Sequence, residues 1–379
     1  MAGTLTWEQL RDLAAFRAQK GRAVSLYVNL DPHESPTAAA VETRVNGLLD
    51  EADRLLERHK HGLGHQAREA LEADIERIRR WFDDEFDRDG LRGVAVLAAG
   101  LDNFWTTIEL PDPVADEVKI ESELYLAPLV RFVDRDRALV AFVGRERGQV
   151  YRLEAGQLVE VADQTEKTPG QHEQGGWSQA NYERHIETIV DRHLRRVAHR
   201  LDRCVRDLRA RPVVLVGAEG IRSEFEELLS HEVKSCLVGW ASAEAHADRP
   251  QLLAAVRPVL DAWRSRREHE LLDRWRAEAS KNGRAATGWE QTLEAASDGR
   301  VELLLVQEGY DQPAYQCPRC GRAQLTDGSC PLDGTTVELH DGGLDLAVHK
   351  TLAHGGTVHV VRDGHDLEPV GGVGALLRF

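Results

Sequence analysis

No stretch of about eighteen apolar residues interrupts this chain, so the sequence lacks the run that a bilayer-spanning helix needs. The opening, MAGTLTWEQLRDLAAFRAQKGR, has helical periodicity in place of a short apolar core closed by small residues. A soluble, cytoplasmic protein with no membrane partner is expected. Cysteine is scarce: there are five, with Cys204 in a helical pattern and Cys236 in an apolar strand-like run. That leaves only Cys317, Cys320 and Cys330 clustered, which excludes a disulfide framework and suits a reducing compartment. Positive charge is in deficit, 48 Lys and Arg against 64 Asp and Glu, for a formal charge of −16. Indiscriminate binding to nucleic acid, DNA included, is therefore not expected, because phosphate affinity comes mainly from surplus Lys and Arg. Any RNA contact has to come from a local basic face. Met1 is the sole methionine, which reflects genome base composition more than function. The chain has no GxxxxGK phosphate loop, GxSxG elbow or HExxH metal site, so no nucleotide cofactor is expected and a metabolic enzyme on an α/β core has little support.

With 42% hydrophobic and 30% charged residues over 379 positions, the composition is that of a globular protein of two or three domains. Residues 23–30, AVSLYVNL, alternate like a half-buried strand that ends at the Asp31-Pro32 turn. Two amphipathic helices, 36–60 and 65–87, and a short buried strand at 94–98 complete a first α/β domain over 1–125. Strands are then predicted at 126–133, at 138–144 and at 149–161, the last folded as a hairpin at Ala155-Gly156. After a polar interruption come a long helix (180–209), a strand (212–217), a helix (219–230), a strand (234–240) and a helix from 248. Strands alternating with helices imply a largely parallel sheet in this central domain, 126–268. The third domain, 269–379, has a helix at 288–297, strands at 301–307 and 357–363, a helix near 344–353 and a Cys-rich insertion at about 310–340. The fold class is α/β, as three consecutive α/β domains.

The interruption, ADQTEKTPGQHEQGGWSQ at 162–179, has almost no apolar side chain with which to offset the entropy of ordering it. It is either a linker or a working loop held on a rigid scaffold. The helix that follows keeps Val190, Leu194, Val197, Leu201, Cys204 and Leu208 in one stripe. Its other faces are basic: between Tyr182 and Arg211 stand Arg184, Arg192, Arg195, Arg196, Arg200, Arg203, Arg206, Arg209 and Arg211 against five carboxylates. Planar guanidinium groups suit phosphate, so this is a candidate RNA-binding face; the plainer reading is a solvated helix laced with ion pairs. In the third domain, Cys317-Pro318-Arg319-Cys320-Gly321 has the form of a zinc-knuckle half-site, and Cys330-Pro331-Leu332-Asp333-Gly334 repeats it with Asp333 in the fourth position. Cys317, Cys320, Cys330 and Asp333 are candidate ligands for a structural zinc, with His340 an alternative fourth. A knuckle that has lost its metal and is held by turns and packing is the other reading.

The string GGWSQANYERHIE resembles the central-domain motif of archaeal and eukaryotic class-I release factors, where a GGQ loop precedes a helix start containing an aromatic and an Arg. It is more similar still to bacterial relatives of that family and to ribosome quality-control hydrolases whose pattern is Gly-x-x-Gln. On that pattern Gly176 and Gln179 are the matching pair, preceded by Gly175, while Trp177 stands where strict release factors have glutamine. The final VGGVGALLRF resembles the ending of the same family's last domain, and some archaeal members carry a Cys-rich insertion there. The first third shows no Asn-Ile-Lys-Ser string, so stop-codon reading is not expected. The resemblance implies a factor that enters the ribosomal A site and hydrolyses peptidyl-tRNA on stalled ribosomes. Gln179 would position water there, while Gly175 and Gly176 let the loop fit beside the tRNA end. The implied partners are the ribosome, tRNA and rRNA, and a delivering GTPase. The resemblance equally admits a non-catalytic role, because Pelota-like rescue and bacterial hibernation relatives occupy ribosomes without cleaving anything.

Overall fold

A computed structural model describes residues 5–59, 63–88, 90–133, 138–154, 156–165, 178–207, 212–281, 283–362 and 366–379, excepting the side chains of 59 and 178–183. The chain divides into two compact units, one of residues 1–135 with 270–379 and one of residues 136–269. The fold is mixed α/β throughout.

The first unit starts with helix α1 (Trp7–Ala15). Its start is fixed by a capping box in which Thr6 Oγ1 accepts from the Gln9 N–H and Gln9 Oε1 accepts from the Thr6 N–H. Strand β1 (Ala23–Asn29), helices α2 (Ala38–His59) and α3 (His65–Asp84), and strands β2 (Gly93–Ala99), β3 (Phe104–Leu110) and β4 (Glu117–Glu121) follow. The strands form an antiparallel sheet in the order β3-β2-β1-β4. Val24, Leu26 and Val28 pack on α2 and α3. Ala23 and Tyr27 point the other way, into a core shared with Leu126, Trp289 and Leu346 of the same unit. Strand β1 is thus buried on both faces, where alternation predicted only one. Its polar members are accommodated: Ser25 Oγ accepts from the Tyr125 N–H at 3.0 Å, and Asn29 Oδ1 accepts from the Asp31 N–H at 2.9 Å.

Residues Ala127–Phe132, predicted as a strand, form a 3-10 turn. Pro128 cannot donate to a ladder, and the N–H groups of Leu126 and Ala127 are taken at 2.8 and 2.9 Å by the buried carboxylate of Asp345.

The second unit holds β5 (Ala138–Val143), the hairpin β6 (Gly148–Glu154) and β7 (Gln157–Asp163), α4 (Ser178–Asp207), β8 (Val213–Gly217), α5 (Glu219–Leu228), α6 (His231–Cys236) and β9 (Leu237–Ser242). Helix α7 (Arg249–Ala279) leads back to the first unit. The sheet order is β7-β6-β5-β8-β9, parallel through β5, β8 and β9 but antiparallel through β5, β6 and β7. The hairpin therefore makes the sheet mixed. Residues 234–236, predicted to begin a strand, close α6, whose start is capped by Ser230 Oγ accepting from the Val233 N–H. On one face lie α4 and α5; on the other, α7 contributes Leu252, Val256 and Leu260.

The rest of the first unit comprises β10 (Ala285–Thr287), α8 (Gly288–Ser297), β11 (Val301–Gln307), β12 (Ala314–Gln316), β13 (Ala323–Gln324), β14 (Glu338–His340), α9 (Gly343–Ala353), β15 (Thr357–Val361) and β16 (Val373–Leu377). A four-stranded sheet, β10-β16-β11-β15, packs against α8 and α9. The Cys-rich insertion forms its own small sheet, β13-β12-β14.

Candidate functional site

Helix α4 lies on the sheet through its apolar stripe: Val190, Leu194, Val197, Leu201 and Cys204 are all buried, while Leu208 falls outside the described residues. The approach to β6 is close enough to demand glycine. A Cβ on Gly148 would overlap Val197 Cγ2 and lie 3.2 Å from His193 Cε1. With the stripe held down, the 3.6-residue period turns the arginines outward beside the end of β7.

Arg192, Arg195, Arg196, Arg200 and Arg203, with His199, line a groove of about 530 Å³ whose other wall is Ala162, Asp163 and Gln164. Five guanidinium groups thus face one carboxylate. Two of the arginines are pre-positioned: Arg195 pairs with Asp191 at 2.9 Å, one helical turn away, and Arg200 donates to the Val161 carbonyl at 3.3 Å. Asp163 is held below the usual carboxylate range by hydrogen bonds from Thr165, and it also accepts from Gln149. It stays ionised and is the one carboxylate lining the groove among the described residues. Arg184 is exposed on the same helix but does not line this groove. Residues Asp136–His269 carry 21 acidic and 21 basic side chains, so the whole net charge of −16 belongs to the other unit.

The proposed loop residues Gly175, Gly176 and Trp177 lie outside the described residues. Gln179 belongs to the first turn of α4, and its side chain is likewise outside them.

In the Cys-rich insertion, one donor atom each from Cys317, Cys320, Cys330 and Asp333 come within 4.8 Å of one another. The Cys320 and Cys330 sulfurs are 3.5 Å apart, and Cys317 Sγ is 3.6 and 3.7 Å from the two Asp333 oxygens. The two half-sites have the same build. Gly321 N–H donates to the Cys317 carbonyl and Gly334 N–H to the Cys330 carbonyl, each at 2.9 Å, with φ of +74° and +71° at the two glycines. Those left-handed angles close both turns and explain a glycine at each. Burial pushes the Cys317 thiol up, but the N–H groups of Cys320 and Arg319 outweigh it and leave the thiol below its ordinary value. Asp333 is lowered by the Thr335 N–H, which donates to it at 2.9 Å. His340, the alternative ligand, is 3.5 Å from Glu121 and is not a member of the cluster. The predicted four residues are therefore brought together.

Sequence reasoning missed a second group of polar residues, on α9. Asp345 is buried, caps the 126–127 backbone and lies 3.5 Å from His349 Nε2, which also contacts the Leu124 carbonyl at 2.6 Å. Burial pushes the Asp345 carboxyl up to about 6, against the opposing pull of His349. Lys350 reaches the first knuckle, where its Nζ would lie 3.1 Å from a Cβ on Gly321. The available signal was the placement of Asp345, His349 and Lys350 on an otherwise apolar helix.

Residues 125–260 match the model of the family described as bacterial archaeo-eukaryotic release factor family 10. Peptide chain release factor subunit 1 of Archaeoglobus fulgidus is 25% identical over 339 residues, covering 85% of this chain and 81% of that protein. The protein of the same name from Thermoplasma acidophilum is 25% identical over 304 residues, covering 72% and 71%. Among solved structures, the archaeal translation termination factor aRF1 is similar at 16% identity over 99% of both chains, with a TM-score of 0.28. Archaeal Pelota in a ribosome-bound assembly with ABCE1 is similar at 15% identity over 76% and 77%, with a TM-score of 0.42. The family match over residues 125–260 and the long alignments to the two archaeal factors make this chain similar to release factors of the archaeo-eukaryotic type over most of its length.

Proposed function

We propose that this protein is a ribosome-associated factor that enters the A site and hydrolyses the ester of peptidyl-tRNA on stalled ribosomes, without reading a stop codon. The observation that carries the reading is the groove on α4. Five arginines form one row on the helix that starts with Ser178 and Gln179, directly after Gly175-Gly176-Trp177. Phosphates of tRNA or rRNA seated on that row would bring the start of α4 next to the nucleic acid. The row from Arg192 to Arg203 is about 16 Å long at 1.5 Å per residue, long enough for several consecutive phosphates. Arg184, nearer the loop, extends the same contact toward the tRNA end.

An ester is already activated, so the chemistry requires placement of water more than a strong base. Orientation of that kind can remove about 7–11 kcal/mol of barrier at the extreme. Gln179 does not titrate, and positioning is the role its amide can fill; Gly175 and Gly176 leave the backbone open to a bulky partner. We assign the central segment, 126–268, to this task, with 1–125 and 269–379 flanking it. No nucleotide is needed for the hydrolysis, and a GTPase would serve delivery alone. The work is placed in the cytoplasm.

We further assign a structural zinc ion to Cys317, Cys320, Cys330 and Asp333. Bonds of about 2.3 Å in a tetrahedral zinc site give sulfur-to-sulfur edges of about 3.8 Å; here Cys320 and Cys330 are 3.5 Å apart, Cys317 is 3.6 Å from an Asp333 oxygen, and all four donors lie within 4.8 Å of one another. The donor set fits. Its contribution would be to fold the insertion, whose own core is Cys317, Cys330 and Val337 with Tyr315 packed against them.

The test is release of labelled peptide from purified stalled ribosomes. Wild type should release it and Gln179→Ala should not, with ribosome co-sedimentation unchanged. Equal release by both would remove the catalytic role. The second reading, a non-catalytic hibernation or Pelota-like rescue factor, is favoured by Trp177 standing where strict release factors have glutamine. It would be established by stoichiometric ribosome binding without peptide release.

A further inference from the structure

The three cysteines of the knuckle pair are unequally accessible. Cys317 and Cys330 are 1% and 2% exposed, whereas Cys320 is open to solvent. The Cys320 sulfur is 3.5 Å from that of Cys330, so a bond between them needs a movement of about 1.5 Å to reach the ordinary disulfide length. The fourth donor is the carboxylate of Asp333. A site of four thiolates keeps two after one disulfide forms. This one would keep a single thiolate and a carboxylate, too few soft donors to retain a zinc ion.

We infer that Cys320 is an oxidation site, and that a Cys320–Cys330 disulfide dismantles the metal site and loosens the insertion; this rests on the zinc assignment above. The co-reactant is hydrogen peroxide. The Cys320 thiolate attacks the peroxide, the O–O bond breaks, and Cys320 becomes a sulfenic acid with release of hydroxide. The Cys330 thiolate then attacks that sulfur, a second hydroxide leaves, and the disulfide is formed. Two thiolate sulfurs lose two electrons in all, and the peroxide is reduced to two hydroxides, which become water on taking up two protons. Because Cys317 and Cys330 also lie in the insertion's small core with Val337, loss of the metal and rearrangement of the cysteines loosens the packing beneath β12, β13 and β14.

Cys236, half-buried in the other unit and absent from the metal cluster, is an internal reference thiol. Full-length protein purified without chelator would be assayed for zinc, then treated with hydrogen peroxide in the presence of a chromophoric zinc chelator and a sulfenic-acid trap. The expected result is one equivalent of zinc at the start and its release on oxidation. Trapping at Cys320 should run about tenfold faster than at Cys236, and a Cys320–Cys330 linked peptide should appear in mass spectra. Reductant with added zinc should restore the starting state. Zinc retained at peroxide levels that modify Cys236, or a disulfide that leaves Cys320 out, overturns the inference and leaves the zinc assignment standing. Protein that neither contains nor takes up zinc overturns both.

Discussion

Replacing Arg195, Arg196 and Arg200 together by alanine removes three of the five guanidinium groups that line the groove on α4. Each phosphate neutralised by a cation contributes about 0.7 to the log–log salt slope for a single strand and about 0.9 for a duplex. Full engagement of five arginines gives a slope of about −3.5 to −4.5, and two give about −1.4 to −1.8. Raising salt from 50 to 200 mM should therefore weaken wild-type binding to labelled tRNA by roughly 100–500-fold and the triple variant by only about 7–12-fold. The fold should survive. The Arg195–Asp191 pair is exposed and solvent-screened, so its loss costs little, and the Arg200 bond to the Val161 carbonyl is worth about 1 kcal/mol. Fluorescence anisotropy across a salt series gives the slopes, and Arg266→Ala/Arg267→Ala on α7 of the same unit controls for loss of charge in general. An unchanged slope in the triple variant, or an equal change in the control, would refute the groove as the RNA contact.

Three other expectations follow from the packing. Gly148→Ala should destabilise the second unit by about 1–3 kcal/mol, because the new methyl overlaps Val197; adding Val197→Ala should make the double variant lose less than the sum of the two, as measured by urea unfolding. Asp345 has a folded-state pKa of about 6, raised above the ordinary 3.8 by burial, so its contribution is fully present below pH 3.8 and is lost as pH rises through 6. The difference corresponds to roughly 3 kcal/mol at about 1.4 kcal/mol per unit. Asp345→Asn keeps an acceptor for the Leu126 and Ala127 N–H groups and should flatten the fall in stability between pH 4 and 6; parallel curves for the two proteins would exclude Asp345 as its source. Chelation of zinc should strip protection from amides of β12, β13 and β14 in hydrogen exchange while β5 and β8 stay protected, and uniform behaviour would count against a local role for the metal.

What could be read in the sequence was what local spacing encodes. Helices α2, α3 and α4 and strands β5 and β8 carry full periodic patterns, and the structure has them where those patterns put them. The arginine row was legible for the same reason, since residues three, four, seven, eight and eleven apart share a helix face wherever the helix lies. The grouping of Cys317, Cys320, Cys330 and Asp333 was legible because each half-site is a short turn closed by its own glycine. Strand β3 was not legible because FWTTIEL is half-exposed along its length and its alternation is blurred, and β4, EVKIE, alternates cleanly but over only five residues. The turn at 127–132 was misread because what bends it is Asp345, whose bonded partner is 219 residues away. Likewise, nothing local announces that β1 is covered on both faces; the second cover comes from the far end of the chain.

The distribution of charge resolves the conflict between an acidic chain and an RNA-facing role. Residues 136–269 are neutral in sum, and the excess of 16 negative charges lies wholly in the other unit. Within the neutral unit, five arginines are gathered on one face of α4, while the acidic residues include Asp191, Asp202 and Asp207 elsewhere on that helix and Glu219, Glu224, Glu226 and Glu227 on α5. At physiological salt, charges more than about 8 Å from a phosphate are largely screened, whereas those in contact with it are not. A phosphate in the groove therefore feels its guanidinium neighbours much more strongly than the negative charge elsewhere. For the proposed RNA contact, the same excess of carboxylates disfavours binding through the acidic unit's own surface and leaves α4 as the favoured approach. Lowering the salt should then speed association less than it would for a uniformly basic binder, because attraction at the groove and repulsion elsewhere lengthen their reach together.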